Sequence, residues 1–186
     1  MLPDADIRAA VLVEGVSDVL ALRAVAAMRG VDLEGRGVAL VPMGGATNVR
    51  RNVERFGPGG LGVPLAGLYD AAEEPFFRRA LGTGDLEAAG FFGCMPDLEH
   101  ELLRALGVGA VVRVIAAEGE LASLERLQRQ PAQRDRTTVE QLHRFLGTRA
   151  GRKARYASAL TRALEPGQVP HPLRGLVEHV LTTVGR

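Results

Sequence analysis

The feature that most limits how this chain can fold is an alternation. Short runs that are apolar at every position are followed by longer segments whose apolar residues recur at helical spacing. Ala9 to Val13 reads AAVLV, continuous as a strand buried on both faces of a parallel sheet must be. From Ser17 onward Val19, Leu20, Leu22, Val25, Ala26 and Met28 recur at helical spacing, with Ser17 placed to cap the helix start and Gly30 its end. Further strands are predicted at 37–43, 64–69 and 90–94, with helices at about 47–56, 74–81 and 97–106. Strands interleaved with helices give an α/β fold, a parallel four-stranded sheet flanked by helices. Val108 to Ile115 is rich in β-branched residues and reads as a candidate fifth strand. Beyond it the pattern is helical, at 119–130, 137–146, 152–164 and 172–183, with 129–136 as a loop or hinge. The chain thus divides into a core at 1–115 and a helical C-terminal extension at 116–186.

Composition removes several classes. With 186 residues, 46% hydrophobic and 24% charged, the chain can bury a full core. No stretch reaches the roughly 18 apolar residues of a membrane span, and the first ten residues carry Asp4 and Asp6 with no apolar core of a signal. The single cysteine, Cys94, fits a reducing, cytoplasmic setting and reads as a small buried hydrophobe. Aromatics at 4% with no Trp argue against a stacking platform for single strands. His100, His143, His171 and His179 show no zinc-ligand spacing with Cys94.

Charge is unevenly placed. Residues 1–115 hold 15 acids and 11 Arg, a net of −4, whereas 116–186 hold 12 bases and 7 acids, a net of +5. All but one of the 23 basic residues are Arg; the exception is Lys153. An acidic half that collects cations beside a basic half that meets phosphates is one reading, and two solvated faces is the other. Arg126, Arg129, Arg134 and Arg136 form a candidate phosphate stripe. Arg50, Arg51 and Arg55 are either further phosphate contacts or a solvated face.

Doubly wound sheets bind ligands beyond the carboxyl ends of their strands. There Glu14 follows the first strand, Asp70 the third, and Asp97 and Glu99 the fourth, while Asp18 faces back from the first turn of the next helix. Carboxylates gathered on one rim repel one another unless a cation neutralises them, and Mg2+, or Mn2+, suits an oxygen-rich, partly hydrated site. The alternative for Asp18 and Asp97 is helix capping. Gly44-Gly45 sits between strand and helix, either as a phosphate-binding turn or as a tight turn alone. The Gly-rich run at 57–62 precedes a strand and reads as a loop.

Val13-Glu14-Gly15-Val16-Ser17-Asp18 after an apolar strand, Gly44-Gly45, Asp70, Asp97-Leu98-Glu99 and the late Lys153 resemble a TOPRIM domain, most closely that of the OLD (overcoming lysogenization defect) family, over about residues 7–180. The resemblance implies a TOPRIM-like, Rossmann-like fold and a metal-dependent nuclease of nucleic acid, DNA ahead of RNA. It implies Glu14, Asp18, Asp70, Asp97 and Glu99 as metal ligands, Glu14 also as general acid/base, and Lys153 as the charge at the scissile phosphate. No P-loop is present, so the chain reads as a stand-alone domain with a separate ATPase as candidate partner and a homodimer as candidate assembly. One departure matters: the family's Asp-x-Asp is Asp70-Ala71-Ala72 here, with Glu73 and Glu74 as candidate compensating ligands. The competing reading is a catalytically degenerate module that binds nucleic acid or a partner ATPase.

Overall fold

A computed structural model describes residues 2–148 and 151–185. Strands β1 (Ala9–Val13), β2 (Val38–Pro42), β3 (Leu65–Asp70) and β4 (Phe91–Cys94) form one parallel sheet in the order β2-β1-β3-β4. The unbroken apolarity of β1 follows from its place: it has a strand on each side and helices on each face, and all five residues are buried. Side chains alternate across the sheet. Ala9, Val11 and Val13 enter a larger core; Ala10 and Leu12 enter a smaller one on the opposite face.

Each strand leads into a helix: α1 (Val16–Met28), α2 (Val49–Phe56), α3 (Glu74–Leu81) and α4 (Leu98–Leu106). Val49, Phe56 and Phe77 of α2 and α3 fill the smaller core, and Leu22, Val25, Leu98 and Leu102 of α1 and α4 the larger. Helix α1 starts earlier than the Ser17 cap predicts. Gly15 is the N-cap, and the Asp18 carboxylate at the third helical position accepts the Gly15 N–H at 2.8 Å, the returning bond of a capping box, while Ser17 lies inside the first turn. Gly30 follows the helix end with a left-handed φ of 68°, as predicted.

The candidate fifth strand is instead helix α5 (Val108–Ala117). Val111 and Ile115, one turn apart, are fully buried, so packing overrides the β-propensity of the run. Helices α6 (Leu121–Gln128), α7 (Thr138–Gly147), α8 (Arg152–Arg162) and α9 (His171–Val184) follow. Helix α8 lies along α1, and α9 packs on α1, β3 and β4. Among the described residues no helix is long and apolar enough to cross a membrane.

The start of α8 is fixed by Arg152, which is 5% exposed. Its guanidinium donates to Glu120 at 2.9 and 3.1 Å, to the Phe145 carbonyl at 3.1 Å and to Thr148 Oγ1 at 2.7 Å, and lies 4.0 Å from the Phe145 ring centre. One planar, multiply donating group thus joins the ends of α6, α7 and α8 and sets the position of its neighbour Lys153. Removing one partner of a buried charged network strands the others. Arg152→Met is expected to cost about 3 kcal/mol in urea unfolding; a stability within about 0.5 kcal/mol of wild type would show that the anchor is dispensable.

Candidate metal centre

The carboxyl ends of the strands form a rim of acids. Glu14 leaves β1, and its backbone carbonyl accepts the N–H groups of Gly44 at 2.9 Å and Gly45 at 3.3 Å, clasping the β1 loop to the β2 loop. Both glycines have positive φ, 72° and 113°, which lets consecutive amides turn toward one acceptor. Asp18 is 6% exposed at the start of α1. Asp70 ends β3, and its Oδ1 accepts the Leu98 N–H at 3.2 Å, which ties β3 to the first turn of α4. Glu73 closes the turn after β3, and Glu99, 6% exposed, sits in the first turn of α4. Lys153 arrives from α8, with Nζ 3.2 Å from Glu99 Oε2.

These groups form one electrostatic unit. Burial pushes the Asp18 carboxyl up to about 6; Glu99 and Glu14 add to the rise, and the Gly15 amide and Lys153 oppose it. Burial raises Asp70 to about 7, with Lys153 opposing and Asp18, Glu14 and Asp97 reinforcing. Burial also raises Glu73 and Glu99. For Lys153 burial disfavours the ammonium, but Glu99, Asp70 and Glu14 outweigh it and hold the charge firmly. Among the described residues none of Glu14, Asp18, Asp70, Glu73 or Glu99 forms an ion pair with an arginine.

One lysine therefore faces five acids. Glu73 Oε2 and Glu99 Oε1 are moreover shielded from water with no hydrogen-bond partner in the protein. A buried oxygen without a partner costs about 1–3 kcal/mol, more when charged. The rim supplies carboxylate oxygens, two of them without a protein partner, and this is the donor type a hard divalent cation such as Mg2+ or Mn2+ prefers. Among the described residues the rim does not bring three of them within 4.8 Å of one another, so a bound ion would have to draw the acids together.

Three expectations for the rim come out differently. Glu74 is paired with Arg78 at 2.5 Å on α3, so of the two compensating candidates only Glu73 joins the acids. The Gly44 and Gly45 amides are spent on the Glu14 carbonyl and do not face outward as a phosphate cradle would need. Asp97 caps α4. Its Oδ1 accepts the His100 N–H at 2.9 Å and lies 2.9 Å from His100 Nδ1, and its Oδ2 lies 2.8 Å from His143 Nε2. Burial would raise this carboxyl, but His100 and His143 together hold it below its usual value.

His100 and His143 belong to no spacing motif, since 42 residues lie between them in the chain; only the placement of His100 three residues after Asp97 hints at a pairing. Cys94 is buried and burial holds its thiol protonated, as its reading as a small hydrophobe requires.

Comparison with known proteins bears on the fold. Residues 7–71, which contain β1 to β3 with Glu14, Asp18 and Asp70, match the family model for the overcoming lysogenization defect protein-like TOPRIM domain. No protein with a curated description matches the sequence. Among solved structures, the C-terminal region of the OLD protein of Burkholderia pseudomallei has a TM-score of 0.70 at 22% identity, covering 96% of this chain and 98% of that one. The C-terminal region of the Xanthomonas campestris pv. campestris OLD protein, phased with iodine, gives 0.69 at 27% identity over 96% of each chain. Its platinum-phased counterpart gives 0.68 at 26% over 96% and 94%. The chain therefore carries an OLD-like TOPRIM domain at residues 7–71, set in a fold that it shares along nearly its whole length with the C-terminal regions of OLD proteins.

Proposed function

We propose that the acidic rim binds Mg2+ or Mn2+ and that the protein hydrolyses phosphodiester bonds in nucleic acid, with DNA as the first substrate to test. The observation that carries this reading is the set of mutually perturbed acids around Lys153, two of whose buried oxygens have no protein partner. Glu14, Asp18, Asp70 and Glu99 would hold the ion, with Glu73 supplying an oxygen that Ala72 lacks. The bound ion would supply an activated water and charge neutralisation at the phosphate. The Lys153 side chain is 42% exposed, which leaves its fixed charge accessible to a phosphate that enters from solvent. Glu14 is half-buried and free of arginine, so its carboxylate can exchange a proton with the reacting water. Asp97 orients the first turn of α4, and thereby Glu99, through its cap.

Ala72 favours a second reading, a TOPRIM module that binds nucleic acid without cleaving it, because one carboxylate of the family's pair is missing. Nicking of supercoiled plasmid by purified protein with Mn2+ separates the two. Wild type is expected to nick, and Glu14→Gln to lose at least about 100-fold of the rate with an unchanged urea midpoint. Equal rates in both proteins would falsify the assignment, and binding without nicking would favour the second reading.

The raised carboxyls give a further prediction. A folded-state pKa above the unfolded value of about 3.8 means that the folded chain binds protons more tightly. The associated stability is present at low pH and is lost as pH rises toward 7. Without metal, wild type should therefore lose melting temperature relative to Asp70→Asn between about pH 5 and about pH 8, and Mn2+ should restore it in wild type only. Parallel melting curves for the two proteins across that range would contradict the coupling.

A further inference from the structure

Beside the all-oxygen rim lies a chemically different cluster. Among the described residues Asp97, His100 and His143 bring one donor atom each to within 4.8 Å of one another. Their side chains are between 21% and 34% exposed, so the cluster is shielded but reachable. The two imidazole rings lie with centres 3.9 Å apart and planes tilted by 37°. His100 Nδ1 and His143 Nε2 both converge on the Asp97 carboxylate, at 2.9 and 2.8 Å.

We propose that Asp97, His100 and His143 form a second cation site selective for a borderline transition ion of the zinc class, separate from the Mg2+ or Mn2+ rim. Imidazole nitrogen suits Zn2+ and Co2+ and is a poor ligand for Mg2+. Two nitrogens and one carboxylate oxygen provide three ligands, and the exposed side leaves a fourth position for water. Metal bonds of about 2.0–2.1 Å at a tetrahedral angle place neighbouring ligands roughly 3.3 Å apart, so the imidazole–carboxylate contacts of 2.9 and 2.8 Å would open by only about half an ångström to admit an ion. In each ring the other nitrogen has no hydrogen bond among the described residues. Either imidazole can therefore move its proton to that nitrogen and free the inner one without breaking another contact. The ion would then replace two hydrogen bonds to Asp97 and link the first turn of α4 to α7.

The test uses Co2+ as a spectroscopic probe and Zn2+ as competitor, with the purified protein in excess Mg2+ to fill the rim. Wild type is expected to bind one Co2+ with the intense visible bands of a four-coordinate ion, and one equivalent of Zn2+ should remove them. His143→Gln and His100→Gln should each lower Zn2+ affinity more than about tenfold, while their metal-free melting curves show that they fold. Glu14→Gln, which alters only the rim, should keep the bands. No four-coordinate spectrum in wild type, or equal Zn2+ affinity in the histidine variants, overturns the site. Loss of the bands in Glu14→Gln overturns its separateness from the rim.

Discussion

The arrangement depends on one costly interaction: several carboxylates held out of water with a single lysine for compensation. Ion hydration is strong, and a buried charge survives only if it is paired or neutralised. Asp18 and Asp70, raised to about 6 and about 7, meet that cost in part by taking up protons. Glu99 meets it through Lys153 on one oxygen and leaves the other unpartnered. The fold accepts this because strands β1, β3 and β4 end on one edge of a rigid parallel sheet, and the backbone there has little freedom to move the acids apart.

Much of that rigidity is local. The Asp18 side chain caps Gly15, the Glu14 carbonyl holds two glycine amides, and Asp70 caps the start of α4. Acids that build the rim are therefore also the stitches that hold its loops together. In Asp18 and Asp70 the side chain that faces the rim also makes the structural contact, so removing it disturbs both, whereas Glu14 clasps through its backbone and its side chain can be changed without breaking that contact.

The sheet is readable in the sequence because central parallel strands are buried on both faces: the apolar run at 9–13 coincides with β1, and the expected bounds of the other strands differ from the observed ones by at most one residue. Val108 to Ile115 misled because β-branched content outweighed the one-turn spacing of Val111 and Ile115. Ser17 looked like a cap because sequence does not show that Asp18 reaches back to Gly15. For the rim, the residue types and their positions at strand ends were visible. The direction of the Gly44 and Gly45 amides was not, since it depends on backbone torsions. His143 was invisible for a different reason: its partner lies 46 positions away, and only the packing of α7 beside α4 joins them.

The larger core runs from Ala9 to Val184, and that span has a kinetic corollary. During synthesis the first strands leave the ribosome long before α8 and α9, the helices that cover their face. Until the late segment emerges, the nascent sheet keeps an apolar side open and its acids lack their only lysine. The order of translation thus opens an interval in which apolar surface is uncovered, a hazard that the finished form does not betray.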